Sequence, residues 1–179
     1  MTSAAHQTEH AVRRQLLNFD GRATAQLEAA AADLNLSPSY ADALLRLAGE
    51  GEVKLEVGAT WLLKRLRDSG HAWTPEQHRG LLDLVFSVTA PDALLHLLQV
   101  LEPALIESRR RVRFVEHLFD LTQHDNGFVR AWSFGLLVKM VRLTPSRAAT
   151  IERMLERAET SESASVKARI RRARKELTT

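Results

Sequence analysis

The chain contains no cysteine, which excludes a disulfide framework and any thiolate metal site. Glycine (8) and proline (5) are sparse in 179 residues, and no run of alternating β-branched residues marks a strand. Apolar runs are short. "GLLDLVF" is interrupted by Asp83 and falls well below membrane-spanning length. The opening "MTSAAHQTEHAVRRQ" lacks the apolar core of a signal peptide, so a cytoplasmic protein is expected. There is no Gly-rich phosphate loop and no G-x-S-x-G. Histidines 71, 78, 96, 117 and 124 show no metal-ligand spacing. The expectation is a protein that is not an enzyme and uses no metal or cofactor.

What is present is helix-forming. Leu, Ala, Arg and Glu dominate, hydrophobic residues make up 45% and charged residues 26%. All five prolines can open a helix, where the missing N–H costs nothing and the fixed φ fits. Ser37 precedes Pro38 as a candidate N-cap, and Thr74 with Gln77 makes a capping box around Pro75. Pro91, Pro103 and Pro145 sit in similar contexts, and Ser108 is a further candidate cap. Apolar residues then recur at helical spacing, as in Leu81, Leu82, Val85 and Phe86. Helices are expected near 38–48, 53–68, 75–88, 91–101, 108–123, 126–143, 146–158 and 164–177, with a further pair within 7–34.

These helices repeat. Pro38 and Pro75 are 37 residues apart, and Pro145 lies 70 beyond Pro75. Val129 and Val166, again 37 apart, each precede a basic residue and an alanine: "VRA" and "VKA". Two helices per period of this size indicate an α-solenoid. Over 108–177, "RRRVRFVEHLFDLTQHDNGFVRAWSFGLLVKMVR" and "SRAATIERMLERAETSESASVKARIRRARKEL" resemble HEAT (ARM-type) repeats. Each shows an A helix, an acidic turn and the opening of a B helix. The resemblance implies an all-α superhelix of bacterial type spanning 1–179. Cap helices would occupy 1–36, and repeats 37–73, 74–107, 108–143 and 144–179.

The stretch "HDNGFVRAWSFGLLVKM" poses a specific question, because Arg130 falls inside the apolar arc of its helix. It should be largely buried and paired, with Asp125 as partner, for a buried guanidinium needs hydrogen bonds. The HEAT resemblance implies the same role, an internal ladder in which Glu162 and Lys167 form the corresponding pair. The opposite, polar strip is Ala131, Gly135, Lys139 and Arg142, and Trp132 faces the core.

The B helices then define a candidate partner-binding surface, since in solenoids of this kind they line the concave face. It comprises Trp61, Lys64 and Arg65, then His96 and Gln99, then Lys139 and Arg142. An exposed Trp beside basic residues suits an interface anchor, and the competing reading packs Trp61 against the neighbouring repeat. Charge is asymmetric. Residues 1–90 carry nine Lys/Arg against eleven Asp/Glu, whereas residues 91–179 carry sixteen against eleven. Arg109, Arg110 and Arg111 crowd a first helical turn where the dipole disfavours cations. Arg169 and Arg172 stand in a basic terminal helix. These five arginines are the candidates for nucleic-acid contact. "HQTEH" at 6–10 matches an inverted zinc-protease signature and is read as a chance match. The leading expectation is a non-catalytic scaffold binding another protein on its concave B-helix face. Nucleic-acid binding is the alternative, with a DNA alkylation-repair-like glycosylase, also HEAT-like, behind it.

Overall fold

Helix punctuation written into the sequence sets the element boundaries. The computed structural model describes residues 3–19, 25, 27, 28 and 38–178. Among them are nine α-helices, two short 3-10 turns and no strand, so the described chain is all-α. It divides into two compact units, Met1–Leu101 and Glu102–Thr179. Among the described residues no helix is long and apolar enough to cross a membrane.

The first unit contains α1 (Ser3–Leu17), α2 (Pro38–Ala48), α3 (Val53–Asp68), α4 (Pro75–Val85) and α5 (Pro91–Val100). Pro38, Pro75 and Pro91 each stand first in their helix. Thr74 and Gln77 form the expected capping box, in which each side chain takes up the other's backbone N–H. Ser37 and most of the second N-terminal helix lie outside the described residues. α3 ends in a Schellman turn: Gly70 adopts φ 86°, its N–H reaches the Arg67 carbonyl and the His71 N–H reaches that of Leu66. Helices of like position pack on one another, α2 on α4 and α3 on α5, while α2 also packs on α3 and α4 on α5. Leu62, Leu63 and Leu66 supply the buried stripe of α3. A buried leucine contributes about 1.5–3 kcal/mol each. α1 lies against α2 and α3. Its Leu16 enters the space left by the missing side chain of Gly58, where a Cβ would stand 2.8 Å from Leu16 Cδ2.

The second unit contains α6 (Ser108–Leu121), α7 (Gly127–Leu143), α8 (Ala148–Ser161) and α9 (Ala164–Glu176), with 3-10 turns at Pro103–Leu105 and Pro145–Arg147. α7 is its centre and packs on α6, α8 and α9. The reason is composition: α7 is apolar almost all round, and such a helix must be enclosed. Val129, Ala131, Phe134, Leu136, Leu137, Val138 and Met140 are all buried.

Three local expectations are corrected. Pro103 opens a single 3-10 turn rather than an α-helix, because the chain turns extended at Ile106. Pro145 likewise opens a 3-10 turn that then feeds α8. Ser108 is the first helical residue and not the cap, since the non-helical residue is Glu107 and its side chain makes no cap bond.

Candidate interaction surface

Arg130 is half-buried, not enclosed, and its partner is not the Asp125 carboxylate. Its guanidinium donates to the backbone carbonyls of His124 (2.8 Å) and Asp125 (3.1 Å), closing the α6–α7 turn. Its Nε stands 3.8 Å from the Glu162 carboxylate, in the next turn of the same kind. Asp125 is exposed. The α7 cap is Asn126, whose side chain accepts the Phe128 and Val129 N–H groups. Lys167 repeats the Arg130 pattern four residues into α9, where its Nζ donates to the Thr160 carbonyl at 2.9 Å. Glu162 and Lys167 are therefore not a mutual pair. Arg130 satisfies carbonyls of the turn itself and Lys167 one in the last turn of the preceding helix, and Glu162 links one turn to the other.

The equivalent position of α3 carries Glu56, which the sequence reading missed. It is 1% exposed. One carboxylate oxygen accepts the N–H groups of Thr89 (3.0 Å) and Ala90 (2.9 Å), at the entry to α5. In the first unit the wiring thus runs with opposite charge, from a carboxylate to helix N-terminal donors. An acidic residue in the first turn of a helix reads as ordinary dipole compensation, so only the fold distinguishes it.

The expected strip divides between the two units. In the first, Arg65 is exposed and Trp61 half-buried. Lys64 is tied to Asp68 at 2.6 Å. Gln99 is half-buried. His96 departs from the expected exposed position. It is half-buried against α3, with Nδ1 3.1 Å from Thr60 Oγ1. Thr60 has one hydroxyl proton, and its shortest contact gives that proton to the Glu56 carbonyl at 2.7 Å. The Thr60 oxygen must then accept from His96 Nδ1–H, which fixes the neutral tautomer. Burial pushes the imidazole pKa down to about 4, with nearby Lys64 acting the same way and Asp92 opposing.

In the second unit the polar strip narrows. Ala131 and Gly135 are buried, leaving Lys139 and the exposed Arg142. Arg169 of α9 covers Gly135: a Cβ there would meet Arg169 Nε at 2.8 Å and Cγ at 3.1 Å. The same guanidinium stacks 3.7 Å from the ring centroid of Trp132, a cation–π contact. Trp132 is accordingly half-buried, not wholly in the core. Glu176 completes the cluster. Its carboxylate stands 3.4 Å from Lys139 Nζ, 3.5 Å from Arg169 and 3.3 Å from Arg172 Nε. Three cations around one carboxylate leave a positive excess on this face. The sequence does hold a signal for it. Glu176 is the sole acid in residues 163–179, and it ends a helix where the dipole disfavours an anion.

Several other basic residues are engaged. Arg109, though 80% exposed, pairs with Glu107 at 2.7 Å. Arg111 donates to the carbonyls of Ile106, Leu143 and Ala104, which explains a cation in that first turn. Arg110 also has polar contacts. Arg147 is bound to Glu116, and Arg174 to Glu152 and Glu159. At 6–10, the Glu9 carboxylate is held by Arg46 at 2.8 Å. Among the described residues no group of three or more His, Asp or Glu side chains is placed to hold a metal. Neither a family model, nor a curated protein, nor a solved structure matches this chain.

Proposed function

We propose that this chain is a HEAT-like, non-catalytic scaffold that binds an acidic protein partner through the exposed faces of its B helices, α3 and α5 in one unit and α7 and α9 in the other. The observation that carries this reading is the face formed by Trp132, Lys139, Arg169 and Arg172, where a half-buried ring carries one cation and three cations share the single carboxylate of Glu176. B-on-B packing recurs, α3 on α5 and α7 on α9, beside A-on-A packing of α2 on α4 in the first unit, and this supports the solenoid part of the reading. Trp61 and Arg65 offer a second contact of the same kind on α3, and Arg65 makes no ion pair with a described residue.

Nucleic-acid binding is the weaker reading. A phosphate backbone needs a run of accessible cations, and Arg109, Arg147 and Arg174 each already hold a carboxylate. The test is affinity capture with the full chain, comparing wild type with Trp61→Ala, Arg65→Glu and Arg169→Ala. A stoichiometric protein partner lost in these variants is the expected result. Retention of every captured protein by all three variants would overturn the scaffold reading, and salt-sensitive retention of DNA or RNA would replace it.

A further inference from the structure

The ring of three cations around Glu176 has the dimensions of a carboxylate receptor that already contains a carboxylate. We infer that this seat recognises an acidic side chain of a protein partner, and that Glu176 is its built-in competitor.

Three observations converge on this inference. First, Glu176 is the last residue of α9, where its charge opposes the helix dipole, so it is favoured there by its ion pairs and not by the helix terminus. Its contacts to Lys139, Arg169 and Arg172, at 3.3–3.5 Å, are what hold it there. Second, the seat is preorganised. Gly135 admits Arg169 across α7, and Trp132 stacks on the guanidinium plane, so the cation stays in place without the glutamate. Third, the competitor is weakly held. Glu176 is 36% exposed and Arg172 77%, so that contact is screened and exchangeable, while Lys139 (26%) and Arg169 (14%) are more enclosed. An incoming carboxylate replaces Glu176 against the same three cations. A discrete acidic side chain fits this seat better than a nucleic-acid strand. The neighbouring arginine of α9, Arg174, faces two carboxylates, Glu152 and Glu159, that would repel successive phosphates.

The inference rests on the scaffold reading but is tested separately from it. Anisotropy of a labelled oligoglutamate peptide is titrated with the full chain, with a labelled single-stranded oligonucleotide as second probe. Glu176→Gln keeps size and removes the competing charge. It should bind the peptide about three- to tenfold more tightly than wild type, the range expected for one exposed charge. Adding Lys139→Gln to that variant should cancel the gain. Peptide affinity that is unchanged or weaker in Glu176→Gln overturns the inference, as does absence of binding by either chain. A gain larger for the oligonucleotide than for the peptide overturns the acidic-protein assignment. Should Glu176→Gln fold poorly by circular dichroism, Lys139→Gln and Arg172→Gln in the otherwise native chain must each weaken peptide binding, and failure to do so is equally decisive. Loss of a captured partner in Trp61→Ala with a silent Glu176→Gln sinks only the seat, whereas a positive peptide result with unaltered partner capture sinks only the broader scaffold.

Discussion

Arg130 and Glu162 belong to two successive turns of the second unit, and their side chains stand 3.8 Å apart while Arg130 also closes its own turn through the His124 and Asp125 carbonyls. The residue that draws attention in the sequence is thus a fastener between turns.

Arg130→Ala should lower unfolding free energy by about 1–2 kcal/mol, because two turn carbonyls lose a charged donor. Asp125→Asn should stay within about 0.5 kcal/mol of wild type, since that exposed carboxylate is not the partner. Asn126→Ala should cost about 1 kcal/mol through the lost cap. Urea midpoints of the three variants order these effects. A larger loss in Asp125→Asn than in Arg130→Ala would contradict the geometry.

Glu56 makes the matching bond in the first unit with inverted charge. Glu56→Ala leaves the Thr89 and Ala90 N–H groups without their acceptor at a site closed to water, and should cost about 3 kcal/mol. Glu56→Gln keeps an acceptor oxygen of the same reach and should cost only about 1 kcal/mol. Equal losses in the two variants would mean that the charge, and not the acceptor, is what α5 requires.

Helix positions were legible in the sequence because they depend on local signals: proline at the first position, the Thr74–Gln77 box and the 3.6-residue apolar period. Arg130 is read from the sequence as a structural residue paired with Asp125, whereas its partners are two turn carbonyls and Glu162. A helical wheel shows which way a side chain leaves its own helix and not which backbone carbonyls the turn brings beneath it. Gly135 was read as exposed because small residues carry no directional signal, and only the arrival of Arg169 from α9 reveals why it is small. The bonds of Glu56 to the start of α5 and the pairing of Lys139 with Glu176 join residues more than 30 positions apart. No window of sequence contains both ends of such a contact.

Gly135→Ala tests that close approach. Alanine favours the helix by about 0.5–1 kcal/mol over glycine, but its Cβ would stand 2.8 Å from Arg169 Nε. Arg169 Cγ would also lie 3.1 Å away, so the arm must shift from near its base, and that cost should offset the helix gain with little net change in stability. The stack on Trp132 should be lost, visible as a change in near-ultraviolet circular dichroism, and oligoglutamate affinity should fall. An unaltered near-ultraviolet spectrum would show that Arg169 keeps its stack beside a methyl group.

His96 gives the first unit an acid-side weakness. Its folded pKa, about 4, lies below the ordinary 6.5, so between these values the unfolded chain binds the proton and the folded chain does not. The stabilisation is therefore complete above about pH 6.5 and is lost as pH falls towards 4. For this half-buried ring it amounts to about 1–3 kcal/mol, the upper end being nearly the full shift at about 1.4 kcal/mol per pH unit. His96→Gln keeps a polar group near Thr60 and cannot titrate, so its stability should be flatter over that window than wild type. Urea unfolding of both proteins at several pH values across it reads the difference directly. Parallel curves would mean that the imidazole is as accessible to protons in the folded chain as in the unfolded one, and that carboxylate protonation alone governs acid unfolding.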